Sequence, residues 1–304
     1  MRAQFVRQLG PEQVIHGVGV VAAEGRSQPL VLIDRRLGAD SFTTDREPFR
    51  EPIRPVPLAS LPAAREVLAR YEAAPDTWVL PVTRPQPLGL SPFATGDALR
   101  GAGTRMRGTA GVRVELPFGS GARGLLTAGH VAGTVPGTPL ERIRRRRFTR
   151  KLAYELLGSV VYGTDPVEHP GRAGYDLAVV RYGASPLIRL RGARVAHLPA
   201  FIKSPRPATL LGAMSGRVHG VLIGALCAYG DDVRLWRNSW TMIPSHMAGA
   251  GDSGGPIFGA DDALLGMLVG GSSWPYSTAM EVQYVQDADS AYRDILAPRG
   301  IEIS

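Results

Sequence analysis

Two kinds of apolar pattern follow one another along this chain. From about Gly108 onward, short β-type runs are punctuated by glycine: Gly111-Val112-Arg113-Val114-Glu115-Leu116, Gly124-Leu125-Leu126-Thr127, Gly158 to Tyr162, Leu177 to Tyr182, Thr209 to Gly212, Val218 to Tyr229, Val233 to Trp236, Leu264 to Val269 and Glu281 to Val285. Strands at this spacing predict a barrel or a sandwich. An amphipathic stretch from Asp289 to Leu296 predicts a short C-terminal helix that turns Tyr292, Ile295 and Leu296 inward. Before Gly108 the pattern is mixed. Residues 14–23 and 29–35 read as a hairpin about the turn-prone Glu24-Gly25-Arg26-Ser27, Ser60 to Ala73 has helical spacing with Ser60 as its cap, and Thr77 to Val82 reads as a further strand. The Pro-, Arg- and Asp-rich residues 38–58 and the Pro- and Gly-rich residues 85–103 separate these runs. The expected organisation is a small α+β N-terminal module with a linker over 1–107 and a mainly β domain over 108–304.

Composition narrows this reading. With 304 residues the chain can form two units with cores of their own, and 37 glycines and 25 prolines favour turn-rich β architecture over a helical bundle. Its formal charge is +8, and since Lys151 and Lys203 are the two lysines, nearly all of the positive charge is arginine. Such an excess bears on solubility and association rather than on fold. Cys227 stands alone, which excludes an intrachain disulfide and the zinc patterns that need paired cysteines. The first residues lack the apolar core of a secretion signal, and no apolar run approaches the roughly 18 residues that span a bilayer. The expectation is a cytoplasmic protein with no cofactor and no metal. Gly17-Val18-Gly19-Val20 resembles a dinucleotide fingerprint, but that motif must open a helix, and here it continues into a second strand.

The candidate chemistry centres on Gly251-Asp252-Ser253-Gly254-Gly255-Pro256. A serine hydroxyl becomes a nucleophile when a base removes its proton, a turn exposes it and donors hold the oxyanion it creates. The glycines allow a tight turn in which the amides of Gly251 and Ser253 face one oxygen. The same residues fit the G-x-S-x-G elbow of α/β-hydrolases, whose histidine follows the serine. All six histidines, His16, His130, His169, His197, His219 and His246, precede Ser253, which removes that architecture. A histidine-first order or a turn without catalytic role remains.

Thr127-Ala128-Gly129-His130, Tyr175-Asp176-Leu177-Ala178-Val179-Val180 and Gly251 to Pro256 resemble, in order, the three signature segments of the trypsin/chymotrypsin-like serine proteases. The stretch from Leu210 to Gly220 is similar to the hairpin that opens the second barrel in bacterial members, and Leu264 to Gly271 to the strand that flanks the substrate. The resemblance covers about 108–304 and implies a chymotrypsin-like double β-barrel with a short C-terminal helix. It makes Ser253 the nucleophile, His130 the general base and acid, Asp176 the carboxylate that fixes the histidine, and Gly251 and Ser253 the oxyanion hole. Among the acids between His130 and Ser253, Asp176 is the one at the mouth of a continuous apolar strand, where a buried carboxylate needs a partner. Asp252 is expected to brace the oxyanion loop through an internal partner, since no Ile-Val-Gly-Gly-like start precedes the domain. The specificity pocket implied is Met247 at the floor, Ala248 beside it and Val269, Gly270 and Gly271 along the wall. With no acid at the floor, an apolar residue before the scissile bond is expected.

The implied activity is that of a bacterial-type serine endopeptidase working through an acyl-enzyme, in a stress or defence setting. Its partners are a protein or peptide substrate and a regulator acting through residues 1–107; neither a membrane nor nucleic acid is expected. The run from Arg142 to Lys151 reads as a solvated loop or strand near the cleft rim. The rival reading is a catalytically silent, protease-like scaffold that engages an acidic partner or nucleic acid.

Overall fold

The longest strand among the described residues is also the organising one. In a computed structural model describing residues 15–23, 25–34, 55–69, 73–74, 76–82, 98–102, 106–117, 122–145, 152–166, 174–183, 190–199, 204–230, 235–244, 248–249, 251–273 and 279–304, Gly216–Gly230 forms one strand of 15 residues. In chain order the strands are β1 (Ile15–Ala23), β2 (Arg26–Asp34), β3 (Val56–Pro57), β4 (Trp78–Val82), β5 (Ala98–Gly101), β6 (Gly108–Thr109), β7 (Arg113–Glu115), β8 (Arg123–Thr127), β9 (Pro139–Arg145) and β10 (Leu152–Thr164). They continue as β11 (Leu177–Tyr182), β12 (Arg206–Gly212), β13 (Gly216–Gly230), β14 (Leu235–Pro244), β15 (Ala248–Gly249), β16 (Pro256–Gly259), β17 (Leu264–Ser273), β18 (Ala279–Asp287) and β19 (Glu302–Ile303).

Six of them close on themselves, in the order β12-β13-β14-β18-β17-β16 and back to β12, as a barrel filled by Leu210, Val218, Leu222, Trp240, Met242, Ile257, Leu268 and Val285. The second sheet runs β19-β7-β8-β11-β10-β9-β5-β6 and stays open at its ends among the described residues. This mainly β, two-barrel architecture agrees with the fold expected. The helical turns from Ala288 to Arg299 close it, with Leu296 fully buried and Tyr292 and Ile295 packed against the core. No helix among the described residues is long and apolar enough to cross a membrane.

β13 is too long for its barrel. Its first half pairs with β12, whereas Gly224 to Tyr229 extend beyond and pair with β1. β2 and the parallel β4 follow, so the N-terminal strands continue the sheet of the second barrel. β2 is buried on both faces, which explains the unbroken run Leu30-Val31-Leu32-Ile33. Leu30 and Leu32 join the main core with Leu126, Leu177 and Val269, while Val31 and Ile33 pack under Ala64 and Leu68 of the helix Pro62–Ala69. Pairing also crosses the boundary expected at 107/108, because β5 already lies beside β9 in the open sheet. Ser60 does not cap that helix. Its hydroxyl donates to Pro57 O at 2.7 Å within a separate turn, and the helix starts at Pro62, whose fixed φ suits a first position. Of the linker expected over 85–103, residues 85–97 and Gly103 lie outside the described residues and Ala98–Gly101 forms β5; Val233 and Arg146 to Lys151 also lie outside them, and Arg142 to Arg145 of the basic run form part of β9.

β1 approaches β13 so closely that a Cβ on Gly19 would lie 1.8 Å from Ala225 O. Gly19→Ala should therefore separate the two strands and cost about 2 kcal/mol. Thermal unfolding should show a Tm several degrees lower, and an unchanged Tm would contradict the pairing.

Candidate active site

His130 sits in the single helical turn Gly129–Ala132 that follows β8, and Asp176 immediately precedes β11. β8 and β11 are neighbours, with Thr127 opposite Ala178, so the two side chains meet at the same end of the open sheet. Asp176 is fully buried. Its Oδ1 accepts from His130 N at 2.9 Å and its Oδ2 lies 2.6 Å from His130 Nδ1. A carboxylate at that distance fixes the proton on Nδ1 and leaves Nε2 as the acceptor. The Trp236 indole donates to the same Oδ2 at 3.4 Å, and Asp176 N donates to Gln286 Oε1 at 2.7 Å. Burial alone would raise the Asp176 pKa; the charge of His130 and the hydrogen bonds from His130 and Trp236 outweigh it and hold the carboxyl below the ordinary aspartate value. The neighbouring Tyr175 ties this segment to the C-terminal helix through a 2.6 Å bond from its hydroxyl to Asp294.

Ser253 lies in the turn before β16, against the strand that leads to His130. A Cβ on Gly254 would come 2.3 Å from Thr127 Oγ1 and 3.1 Å from Ala128 N, and Gly254 has a φ of 86°. Only glycine permits that approach in that conformation. Thr109 holds the turn from one side: its N donates to Ser253 O at 2.7 Å and its hydroxyl to Gly251 O at 3.0 Å, while Ala213 N donates to that hydroxyl at 2.9 Å.

Asp252 holds it from the other. Its Oδ1 accepts from Met214 N (2.9 Å) and Ser215 N (3.2 Å), and its Oδ2 from Ser215 Oγ (2.5 Å) and Gly249 N (2.9 Å). The internal partner expected for Asp252 is thus a set of uncharged donors on the β12–β13 turn and on β15.

The backbone of the turn is almost fully committed. The amides of Asp252, Gly254 and Gly255 donate to Gly249 O, Leu268 O and Asp252 O, whereas those of Gly251 and Ser253, expected to form the oxyanion hole, donate to nothing among the described residues. Ser253 Oγ and His130 Nε2 are also buried and make no hydrogen bond, to each other or to any other described group. The pairing of His130 with Asp176 is formed in this structure, and a hydrogen bond between Ser253 and His130 is not.

β17 passes beside the turn. Leu268 bonds to Gly254 and Gly255, and beyond it Val269, Gly270 and Gly271, all buried, lie on the stretch that pairs with β18. Ala248 pairs with Met280 on the far side of β18, and Met247 lies outside the described residues. Sequence reasoning missed Thr109, Ser215, Trp236 and Gln286. None carries a motif, and each acts from a strand or turn distant in sequence. No cluster of metal-ligating side chains occurs among the described residues.

No protein-family model matches this chain, and no curated protein does. Among solved structures it is similar to Thermobifida fusca protease A, with 18% identity, 69% of this chain and 97% of that one covered and a TM-score of 0.47. It is likewise similar to Cellulomonas bogoriensis chymotrypsin (19% identity, 69% and 97% covered, TM-score 0.46) and to Nocardiopsis protease (17%, 69% and 97%, 0.46). These neighbours are bacterial trypsin/chymotrypsin-like serine proteases.

The Asp176 shift sets a pH signature. A carboxyl held below its ordinary value stabilises the fold above that value and loses the contribution as pH falls through its folded pKa. The Tm difference between the wild type and Asp176→Asn should be widest near neutrality and shrink below the ordinary value of 3.8; a constant gap down to acid pH would contradict it. Ser215→Ala removes one of four donors on a buried carboxyl, at a cost of about 2 kcal/mol, and should lower the Tm by several degrees. A thermal unfolding curve unchanged from the wild type would refute this.

Proposed function

We propose that this protein is a serine endopeptidase whose nucleophile is Ser253. His130 Nε2 takes the hydroxyl proton as Oγ attacks the peptide carbonyl, and then gives it to the leaving amine; Asp176 stabilises the imidazolium through Nδ1. The amides of Gly251 and Ser253 receive the oxyanion of the tetrahedral intermediate. Water, deprotonated by the same histidine, releases the acyl group. The observation that carries this reading is the buried His130–Asp176 couple beside a serine turn in which the amides of Gly251 and Ser253, the two an oxyanion hole requires, donate to nothing among the described residues. The Ser–His hydrogen bond, absent here, forms with substrate bound, as catalytic hydrogen bonds often tighten only in the complex. A peptide substrate would lie along β17 beyond Leu268, adding a strand beside the turn.

A regulatory role of residues 1–107 is part of the proposal. β1 pairs with Tyr229, Tyr229 pairs with Trp236, and Trp236 donates to Asp176, which gives the N-terminal strands a short physical route to the triad. One observation favours the rival, a protease-like scaffold without turnover: Ser253 is 0% exposed and unbonded to His130.

A fluorophosphonate probe separates the two. It should label the wild type at Ser253 and leave Ser253→Ala unlabelled, and Asp176→Asn should cut kcat for peptide hydrolysis by about 10⁴. An unlabelled wild type with no peptidase activity would favour the scaffold.

A further inference from the structure

Two tripeptides, Gly174-Tyr175-Asp176 before β11 and Trp236-Arg237-Asn238 in β14, meet residue by residue. Gly174 and Trp236 form a parallel bridge, and Arg237 N donates to Gly174 O at 3.1 Å. Asn238 Nδ2 donates to the Tyr175 hydroxyl at 3.0 Å, and Trp236 Nε1 to Asp176 Oδ2 at 3.4 Å. Three consecutive residues of β14 thus hold three consecutive residues that end in the carboxylate beside His130.

The outer end of this clamp has its own fastening. The Tyr175 hydroxyl donates to Asp294 Oδ2 at 2.6 Å, and the Arg237 guanidinium, 5.2 Å from the centre of the Tyr175 ring, reaches the same oxygen at 3.3 Å. Burial, helped by the bond to Asp294, pushes the Tyr175 pKa well above the ordinary tyrosine value, so the hydroxyl stays a donor. Asn238 keeps its place with a φ of 48°, and a left-handed residue outside glycine persists where the surrounding contacts over-determine it.

The inner end is buried. Trp236 is 1% exposed and belongs to the main core. Asp176 Oδ1 accepts from His130 N, while Oδ2 is shared between His130 Nδ1 and the indole. An indole has one N–H, no acceptor and a rigid double ring, so with its strand clamped it dictates where Oδ2 lies.

We propose that Trp236 is a positioning residue of the Ser253 site, whose indole N–H fixes the plane of the Asp176 carboxylate and through it the ring of His130. The inference rests on the peptidase reading. Without that N–H, the carboxylate can turn about its Cβ–Cγ bond, and the imidazole bound to it turns as well. Nε2 then spends less time within reach of Ser253, which slows proton transfer, whereas a buried indole has no contact with substrate to lose.

The test uses the full chain with active sites counted by fluorophosphonate labelling. Replacing Trp236 by benzothienylalanine puts sulfur in place of the N–H and keeps the shape of the ring. This variant should lose about tenfold in kcat, with KM within about twofold of the wild type and the Tm unchanged. The far-downfield proton NMR signal of His130 Nδ1–H should move, which lost packing alone would not cause. Trp236→Phe should show the same loss of kcat together with a lower Tm from the cavity it leaves. Asn238→Gly, which tolerates the left-handed backbone and removes only the amide, should lower kcat in the same direction by less. A labelled benzothienylalanine variant with wild-type kcat and an unmoved proton signal overturns the assignment alone and marks Trp236 as packing. So does a loss that appears in KM and leaves kcat intact. Neither labelling nor cleavage by the wild type overturns the peptidase reading, and this inference with it.

Discussion

A carboxylate in the interior has to be met from all sides, and the elements around Asp176 are arranged to do so. The turn Gly129–Ala132 brings a backbone amide and an imidazole, β14 brings an indole and β18 an amide oxygen for the aspartate's own N–H. These partners come from both barrels, so the charge is held at their junction. Neither barrel could hold it alone. Breaking one partner of such a cluster costs far more than removing the whole cluster, because a buried charge is then left uncompensated. The site and the packing of the two barrels therefore depend on one another.

The Gly251–Gly255 turn follows a different logic. Thr109 binds two of its carbonyls from one side, the Met214–Ser215 turn binds the Asp252 carboxylate from the other, and the amides of Asp252, Gly254 and Gly255 donate to backbone carbonyls. What is left over is the pair of amides of Gly251 and Ser253, which donate to nothing among the described residues. Under the peptidase proposal those two donors would stabilise charge that develops only during the reaction. Asp252 takes part through uncharged donors, so the turn needs neither a freed amino terminus nor a basic side chain to keep its shape.

Much of this was legible in the chain. The three short segments around His130, Asp176 and Ser253 carry their chemistry in adjacent residues, and the period-two apolar runs announced the β architecture. The supports were not legible, because Thr109, Ser215, Trp236 and Gln286 act across strand pairs set by tertiary register, which no local pattern encodes. The same cause blurred the domain boundary at 107/108. The sequence changes texture there, yet β5 had already entered the open sheet and β1 was reserved for β13. The long strand β14 was only partly foreseen, since its polar residues Arg237, Asn238 and Ser239 interrupt the apolar pattern at a point where the left-handed Asn238 bends the strand.

The pairing of β1 with β13 also sets an order of events in the making of the protein. Gly17 and its partner Tyr229 lie roughly two hundred residues apart, and contacts of such separation close late. During synthesis the N-terminal hairpin emerges first, but its outer edge meets the strand it is built for only after the second barrel has begun to appear. A hairpin made before either barrel is thereby among the last to find its place, and its arrival reports that β13 and β14, the pair that delivers Trp236 to Asp176, have been made.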